Sequence, residues 1–465
     1  MLQIIRSSPM RGDTRALSYI SNTETDRNEM LEAIGISSFD ALLAPIPEAI
    51  RFQGDLNLPP ALDEHSLVRH LASLASRNAD LESHLCFLGA GIYDHFRPSV
   101  VGAMMSRGEF ATAYTPYQPE MSQGMLQTIY EYQTMICGLT GMDMSNASMY
   151  DAATGLAEAA LMAAGILERT EIVVSAAVHP HYRQVIRTYA DSTGYRYVEV
   201  PFTGQESDIA VLDRAVSSMT SCVIFQHPNF FGCLEAVDAW VEAAHRHGAL
   251  AITSVDPISL GLLKPPGEYD VDIVVGEGQS LGNPMGFGGP LLGFFACKKK
   301  FVRAFPGRIV GATVDQQGRR GYTMTLRTRE QDIRRDKATS NICTNQALIA
   351  LCATVYMSEL GKNGFRQVAD LCLQKAHYCL TQLAKLPGVS PVLESLSFFK
   401  EFAVRLPLDP EEVNRRLIQH KIVGGLALGR YYPEYRDAML VCVTETKTKE
   451  DIDRFVAAVT EAIQV

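Results

Sequence analysis

Three stretches of the chain concentrate side chains that could do chemistry. The first, GEGQSLGNPMGFGGP (residues 276–290), lies between the apolar runs VDIVV and LLGFFAC. It reads as strand, glycine-rich turn, strand, and turns of this kind often hold a phosphate. Gly276, Gly278 and Gly282 suggest a dinucleotide fingerprint, but that loop must open into a helix, which Pro284, Gly286, Gly288 and Gly289 prevent. The fingerprint also wants an acid ~20 positions on for the ribose, and no Asp or Glu occurs from Gln279 to Val314. Both facts argue against a nicotinamide or flavin cofactor. The same acid-free stretch carries Lys298, Lys299, Lys300, Arg303 and Arg308, of which the three consecutive lysines read most simply as a solvated basic face.

The second is the pair FLGAGIYDHFRPSVV and TAYTPYQPEMSQG. They place Tyr93, Asp94, His95, Tyr114, Tyr117, Gln118 and Glu120 on loops rich in Gly and Pro. Ordered loops of this composition on a rigid scaffold commonly bind something. The third, ATSNICT, sets Cys343 just before a helix, where an N-terminus lowers a thiol pKa, although a quiet packed thiol is the commoner outcome. Asp256 closes the strand ALAITS as either a cap or a ligand group. His179 and His181 stand at another strand end. Their i, i+2 spacing shares no helix face and completes no metal set, but a flat ring there could stack on a planar cofactor. His245 and His247 read as surface residues on a helix.

The elements that must position these groups follow a β–α alternation from about Ile172. EIVVSAA, YRYVEVPF, SCVIFQ and ALAITSVD are strands; YRQVIRTYADSTG, IAVLDRAVSSM and AVDAWVEAAHRHG are helices. The strands are apolar throughout, as in a parallel sheet covered on both faces, so ligands belong beyond their carboxyl ends. Before this domain (71–330), residues 1–70 read as a helical arm, with Thr25 an N-cap and Gly35 a stop. After it, 331–465 read as long helices leading to a small α+β domain. The chain has 465 residues, a net charge of -10 and 47% hydrophobic residues, a soluble globular profile that disfavours nucleic-acid binding. No apolar run approaches the roughly 18 residues of a membrane span. Ten cysteines with no CxxC pair fit a reducing compartment, with cytoplasm the expectation. GxSxG, P-loop and HExxH motifs do not occur.

Together FLGAGIYDHFRP, TAYTPYQPEMSQG, NASMYDAATGLAEAA, GNPMGFGGP and RTREQDIRRDKATSNICT closely resemble glycine decarboxylase, the P-protein of the glycine cleavage system. The likeness is to its N-terminal half, a separate α subunit in many prokaryotes. It implies the α/β fold-type I architecture of pyridoxal-phosphate (PLP) enzymes: a large doubly wound sheet domain, an N-terminal helical arm and a smaller C-terminal α+β domain. The family's catalytic half carries a Schiff-base lysine in a context like HKTFSTPHGGGGP. Anchoring on the shared GGP places Gln279 at that position, and a primary amide is no nucleophilic amine. By the same resemblance Asp256 matches the partner of the pyridinium nitrogen, His179 the residue that stacks on the ring, and Asn283 a further position of the cofactor site. The chain departs from the family's GxGYYN at GAGIYDH.

The resemblance thus implies a PLP subunit that has lost its anchor. Its partner would be a β subunit holding PLP, in an α2β2 assembly that decarboxylates glycine and passes the aminomethyl group to the lipoyl arm of the H-protein. Tyr93, Asp94, Tyr114, Tyr117, Gln118, Glu120 and Cys343 are the residues expected to complete the partner's site. Two rival readings are a stand-alone PLP enzyme using Lys264 or Lys337, and a structural or regulatory subunit with a vestigial pocket. A small-ligand binder has no specific feature in its favour.

Overall fold

A computed structural model of the chain describes residues 22–52, 54, 56–203, 207–393 and 397–464. The chain divides into two units, 1–77 and 78–465. The described part of the first holds helices α1 (Glu24–Ile34), α2 (Phe39–Leu42) and α3 (Glu64–Ala75). The cap of α1 is Thr23 and not Thr25. The Thr23 hydroxyl accepts the Asp26 N–H while the Asp26 carboxylate accepts the Thr23 N–H, which satisfies two orphan donors reciprocally. Gly35 ends the helix at φ 82. None of the three helices buries a residue, and Leu67, Val68, Leu71 and Leu74 of α3 stay exposed. Among its described residues the arm has apolar side chains but no buried core.

The second unit is organised by a seven-stranded sheet. Its strands are β2 (Met144–Ser145), β3 (Glu171–Ser175), β4 (Arg196–Val200), β5 (Thr220–His227), β6 (Leu250–Val255), β7 (Ile273–Glu277) and β8 (Gly293–Cys297), preceded by the short β1 (Leu85–Cys86) outside it. The order is β2-β8-β7-β6-β5-β3-β4. Strands β3 to β7 pair in parallel, whereas β8 returns antiparallel to β7. The glycine-rich stretch is therefore a strand-to-strand connection, as its inability to open a helix requires. Strand direction reverses its sequence order between β3 and β5, which sets the switch point where such sheets open a cleft.

Period-two alternation along each strand feeds two cores. Ile172, Val174, Ile224, Ile252 and Val275 face α6 (Ala152–Leu167) and α7 (Pro180–Thr193). Val173, Val223, Phe225, Ala251 and Val274 face α5 (Gln123–Thr140), α9 (Val237–Arg246) and the long α11 (Ala347–Leu383), which is broken at Gly361. The edge strand β4 is the exception to the all-apolar expectation: with a neighbour on one side only, it leaves Arg196 and Glu199 exposed. Helices α4 (Ser99–Met105), α8 (Ser207–Ala215) and α10 (Gln331–Arg334) and the hairpin β9 (Ile309–Val314)–β10 (Arg320–Thr325) complete this layer. The C-terminal part is a four-stranded antiparallel sheet of β11 (Ser390–Pro391), β12 (Glu401–Arg405), β15 (Ala438–Cys442) and β14 (Leu426–Ala427). It is backed by α12 (Pro410–Leu417) and α13 (Lys449–Ile463), while β13 (Ile422–Val423) pairs with β1.

Packing at the centre leaves no room at Gly276 of β7. A Cβ there would sit 2.2 Å from the Phe294 ring and 2.4 Å from the Val255 carbonyl. Gly276→Ala is therefore expected to destabilise the protein by about 1–3 kcal/mol through overpacking, measured as a lowered denaturant midpoint with an unchanged slope.

Candidate functional site

Three of the parallel strands deliver candidate residues to the cleft at their carboxyl ends. β3 leads to His179, the N-cap residue of α7; β6 leads to Asp256; β7 leads to Glu277 and Gln279. The 87–96 segment crosses these ends, and it is tied down by side chains from all of them. Glu401 accepts the Ala90 N–H at 2.7 Å, and Nε2 of His179 lies 2.9 Å from the Ala90 carbonyl. Gln279, buried to 1% exposure, uses both halves of its amide on Tyr93. Its oxygen accepts the Tyr93 N–H at 2.9 Å and its nitrogen donates to the Tyr93 carbonyl at 3.0 Å. The same nitrogen donates to the Asn283 carbonyl, and the Asn283 amide bonds the Pro290 carbonyl. The Tyr93 hydroxyl donates to Glu401 at 2.8 Å.

A buried ion pair lies beneath this loop. Lys400, 1% exposed, places Nζ 2.8 Å from Asp256, 3.0 Å from Nε2 of His95, and 3.4 Å from the centre of the Tyr93 ring. Burial opposes the ammonium, yet Asp256 beside it leaves its pKa above the ordinary value. Nδ1 of His95 passes the chain of bonds to Glu445 at 2.6 Å. Burial would raise the Glu445 pKa, but the adjacent His95 and the hydrogen bonds it accepts hold it down at about 2. Asp94 receives Lys447 at 2.6 Å. His95, Cys372 and Glu445 bring donor atoms within 4.8 Å of one another, a spacing a metal could use. Lys400 on His95 and Lys375 on the Glu445 carbonyl supply positive charge there instead.

The other expected residues form a second cluster. The Tyr117 hydroxyl is 3.4 Å from the Cys343 sulfur, and Arg308 donates to both, at 3.0 and 3.1 Å. Tyr114 meets Tyr117 edge-on and is exposed, as are Gln118 and Glu120. The Cys343 thiol is lowered, but by the Tyr117 hydroxyl first and Arg308 next; helix α11 starts only at Ala347, so the helix terminus is not the cause. His245 and His247 are not bare surface groups either, since Asp272 and Asp213 bond them. Of the basic run, Lys298 is paired with Asp270 and Asp272 and so is not a solvated charge.

Residues missed in the sequence are Lys400, Glu401, Thr444, Glu445, Lys447 and Glu277. Lys400–Glu401 is a charged pair inside the apolar SFFKEFAV, a signal that marks it; TETKTKE carries no such signal, being polar throughout. Outside the loop remains a largely apolar cleft of ≈ 710 Å3 whose lining includes Leu88, Ile92, His179, Glu277, Phe287 and Tyr431.

An open switch-point cleft in a sheet of this order, with a small α+β domain following, is the architecture of the fold-type I PLP-dependent enzymes. A sphingosine-1-phosphate lyase of Burkholderia pseudomallei shares it with a TM-score of 0.64 at 16% identity, covering 90% of this chain and 94% of its own. A cysteine desulfurase of Escherichia coli does so at 0.60 and 16%, over 84% and 98%. Closer likenesses are specific. The family model of the glycine cleavage system P-protein matches residues 17–459, and the chain belongs to that family. It is 50% identical over 96% of its length, and 100% of the relative's, to a probable glycine dehydrogenase (decarboxylating) subunit 1 of Desulfitobacterium hafniense. A protein of the same description from Desulforamulus reducens is 51% identical, over 95% and 99%. A solved glycine decarboxylase (P-protein) of the glycine cleavage system, in inhibitor-bound form, superposes with a TM-score of 0.86 at 44% identity, over 96% and 100%.

The residues present do not fit PLP. Position 279 offers an amide already spent on Tyr93. Lys400 occupies Asp256. A Cβ on Gly91 would lie 3.0 Å from Cδ2 and Nε2 of His179, so the loop backbone is packed against that ring, which stacks on Tyr182. A phosphate seeks a helix N-terminus, yet at α6 the Asp151 side chain caps Thr154 and Glu277 accepts the Ala152 N–H. Two carboxylates stand there, and burial lifts the Glu277 pKa to about 7.

Burial of neutral His179 makes the site acid-sensitive. Its pKa falls to about 4, mainly through desolvation. The unfolded chain therefore binds the proton more readily between that value and its ordinary ~6.5. Stability from this residue is present above pH ~6.5 and is lost as pH falls through about 4. His179→Gln is expected to flatten the fall in denaturation midpoint between pH 7 and pH 4.5; an unchanged slope would contradict the assignment.

Proposed function

We propose that this chain is the α subunit of a glycine dehydrogenase (decarboxylating), working with a β subunit that holds PLP. The observation that carries the reading is Gln279: the amide where an anchoring amine would stand is buried and fully engaged in holding Tyr93. The naming of close relatives as subunit 1 supports a second subunit. The partner supplies the cofactor chemistry that releases carbon dioxide from glycine and transfers the aminomethyl group to the lipoylated H-protein. This chain lends shape and side chains to that site, in a symmetric α2β2 assembly. Tyr93 and Asp94 act from within by fixing their loop. Tyr114, Tyr117, Gln118, Glu120 and Cys343 form the set that reaches across, since Arg308 polarises Tyr117 and Cys343 next to exposed loop. A reducing, cytoplasmic setting agrees with ten free-thiol positions, and among the described residues no helix is long and apolar enough to cross a membrane.

Reconstitution tests this directly. The chain alone is expected to bind no PLP and to leave glycine untouched, while the complex exchanges and decarboxylates it. Full activity of the β subunit alone would overturn the reading. In the complex, Tyr117→Phe and Cys343→Ser are expected to lower glycine decarboxylation at least tenfold. Wild-type rates in both would leave only the structural-subunit alternative.

The exposed apolar face of α3 makes a separate prediction. Leu71 is half exposed on α3, a helix that buries none of its residues among those described. Leu71→Asp is expected to weaken association with the β subunit at least tenfold in titration without lowering the melting temperature of the isolated chain.

A further inference from the structure

The 89–96 loop poses a physical problem that the lost anchor sharpens. It runs across strand ends with glycines at φ 55 and 97 and Ala90 at φ 59, a conformation that must be held from outside. Gly89 admits no side chain: a Cβ there would fall 2.3 Å from Cys442 and 2.6 Å from the Glu401 carboxylate. The holding groups come from distant points of the sequence. Glu401 takes Ala90 and the Tyr93 hydroxyl, Gln279 takes the Tyr93 backbone, Thr444 donates to the Asp94 carbonyl, and Glu445 accepts the Phe96 N–H. At their centre an ammonium, Lys400, sits under an aromatic ring and against the carboxylate that ends β6.

We propose that Lys400 is an internal substitute for a cofactor. With Gln279 and Glu401 as positioning residues, it closes the pocket from inside and fixes the 89–96 loop in one conformation, ready formed with no bound group. The proposal rests on reading position 279 as a lost anchor, but it concerns the isolated chain and needs no partner to test.

Lys400 does here what a bound cation would do for Asp256. It neutralises a carboxylate at the strand end and adds an aromatic contact and a bond to His95. Gln279 does for the loop what an amine could not, because an amide offers both an acceptor for the Tyr93 N–H and a donor for its carbonyl. Glu401 then joins the loop backbone to the ring that covers the ammonium.

The experiment is amide hydrogen exchange by mass spectrometry on the full-length chain, wild type against Lys400→Met and Gln279→Leu. Peptides spanning 89–96 are expected to exchange at least tenfold faster in both variants, with those of β5 and β6 unchanged. Equal acceleration throughout, or none in the loop, overturns the proposal. If Lys400→Met fails to fold, Gln279→Leu still decides, since it removes no charge. A second readout uses Gln279→Lys, incubated with pyridoxal phosphate, reduced with borohydride and mapped by peptide mass. No adduct at position 279 is expected while Lys400 occupies Asp256; an adduct there overturns the proposal. A chain that passes these tests but fails to support its partner's decarboxylation would sink the proposed function alone.

Discussion

The buried pair of Lys400 and Asp256 is the constraint on which the rest of the centre depends. Two charges taken out of water are costly, and they persist only where geometry and further hydrogen bonds compensate. Here the compensation extends outward in both directions. Asp256 also accepts the Ile258 N–H; Lys400 also reaches His95, which reaches Glu445. The Glu445 carboxylate in turn holds Phe96, and Thr444 holds Asp94. A carboxylate at the end of a sheet strand is thus coupled, through one ammonium, to the segment between β15 and α13. Removing either charge leaves the other buried and unpaired, a change that typically costs about 3–5 kcal/mol.

The loop above it follows from the same constraint. Backbone that crosses strand ends cannot join the ladder, and its buried polar groups need partners. Side chains supply them: Gln279, Glu401, His179, Thr444 and Glu445 each serve a named N–H or C=O between Ala90 and Phe96. Because the partners lie on separate elements, the loop forms only when the sheet, the β12 strand and the segment before α13 are all in place.

Much of this was legible in the sequence. The β–α alternation gave the sheet, since unbroken apolar runs such as CVIFQ fit a two-sided parallel strand, and prolines and glycines ruled out a helix after Gly278. The expectation for position 279 rests on one short anchored match; what the structure adds is that its amide is buried and bonded to Tyr93. What escaped was set by long-range packing. Lys400 lies in the apolar stretch SFFKEFAV, which marks the charge as out of place, but its partners Asp256 and His95 are far away in sequence and no local pattern names them. Tyr93 and Tyr117 looked alike as loop tyrosines, yet one is closed in by Glu401 and Gln279 while the other lies beside Arg308 and Cys343. Capping also shifted: Thr23 outcompetes Thr25 because Asp26 stands three residues on and can reciprocate.

A cofactor's removal from such a fold leaves three debts at once. A carboxylate loses its cation, a helix N-terminus loses its anion, and a loop loses the surface it rested on. On the proposed reading this chain answers each with a residue: Lys400 for the cation, Asp151 and Glu277 for the anion, and the paired Gln279 and Glu401 for the surface. The answers are mutually consistent, because reversing any one of them recreates an unpaired buried group beside the others. A pocket restored by Gln279 alone would still face an ammonium at Asp256 and carboxylates at α6. On the proposed reading the site is committed to supporting structure, and the half-buried Tyr117 and Cys343, joined by the buried Arg308, are the groups offered to another molecule.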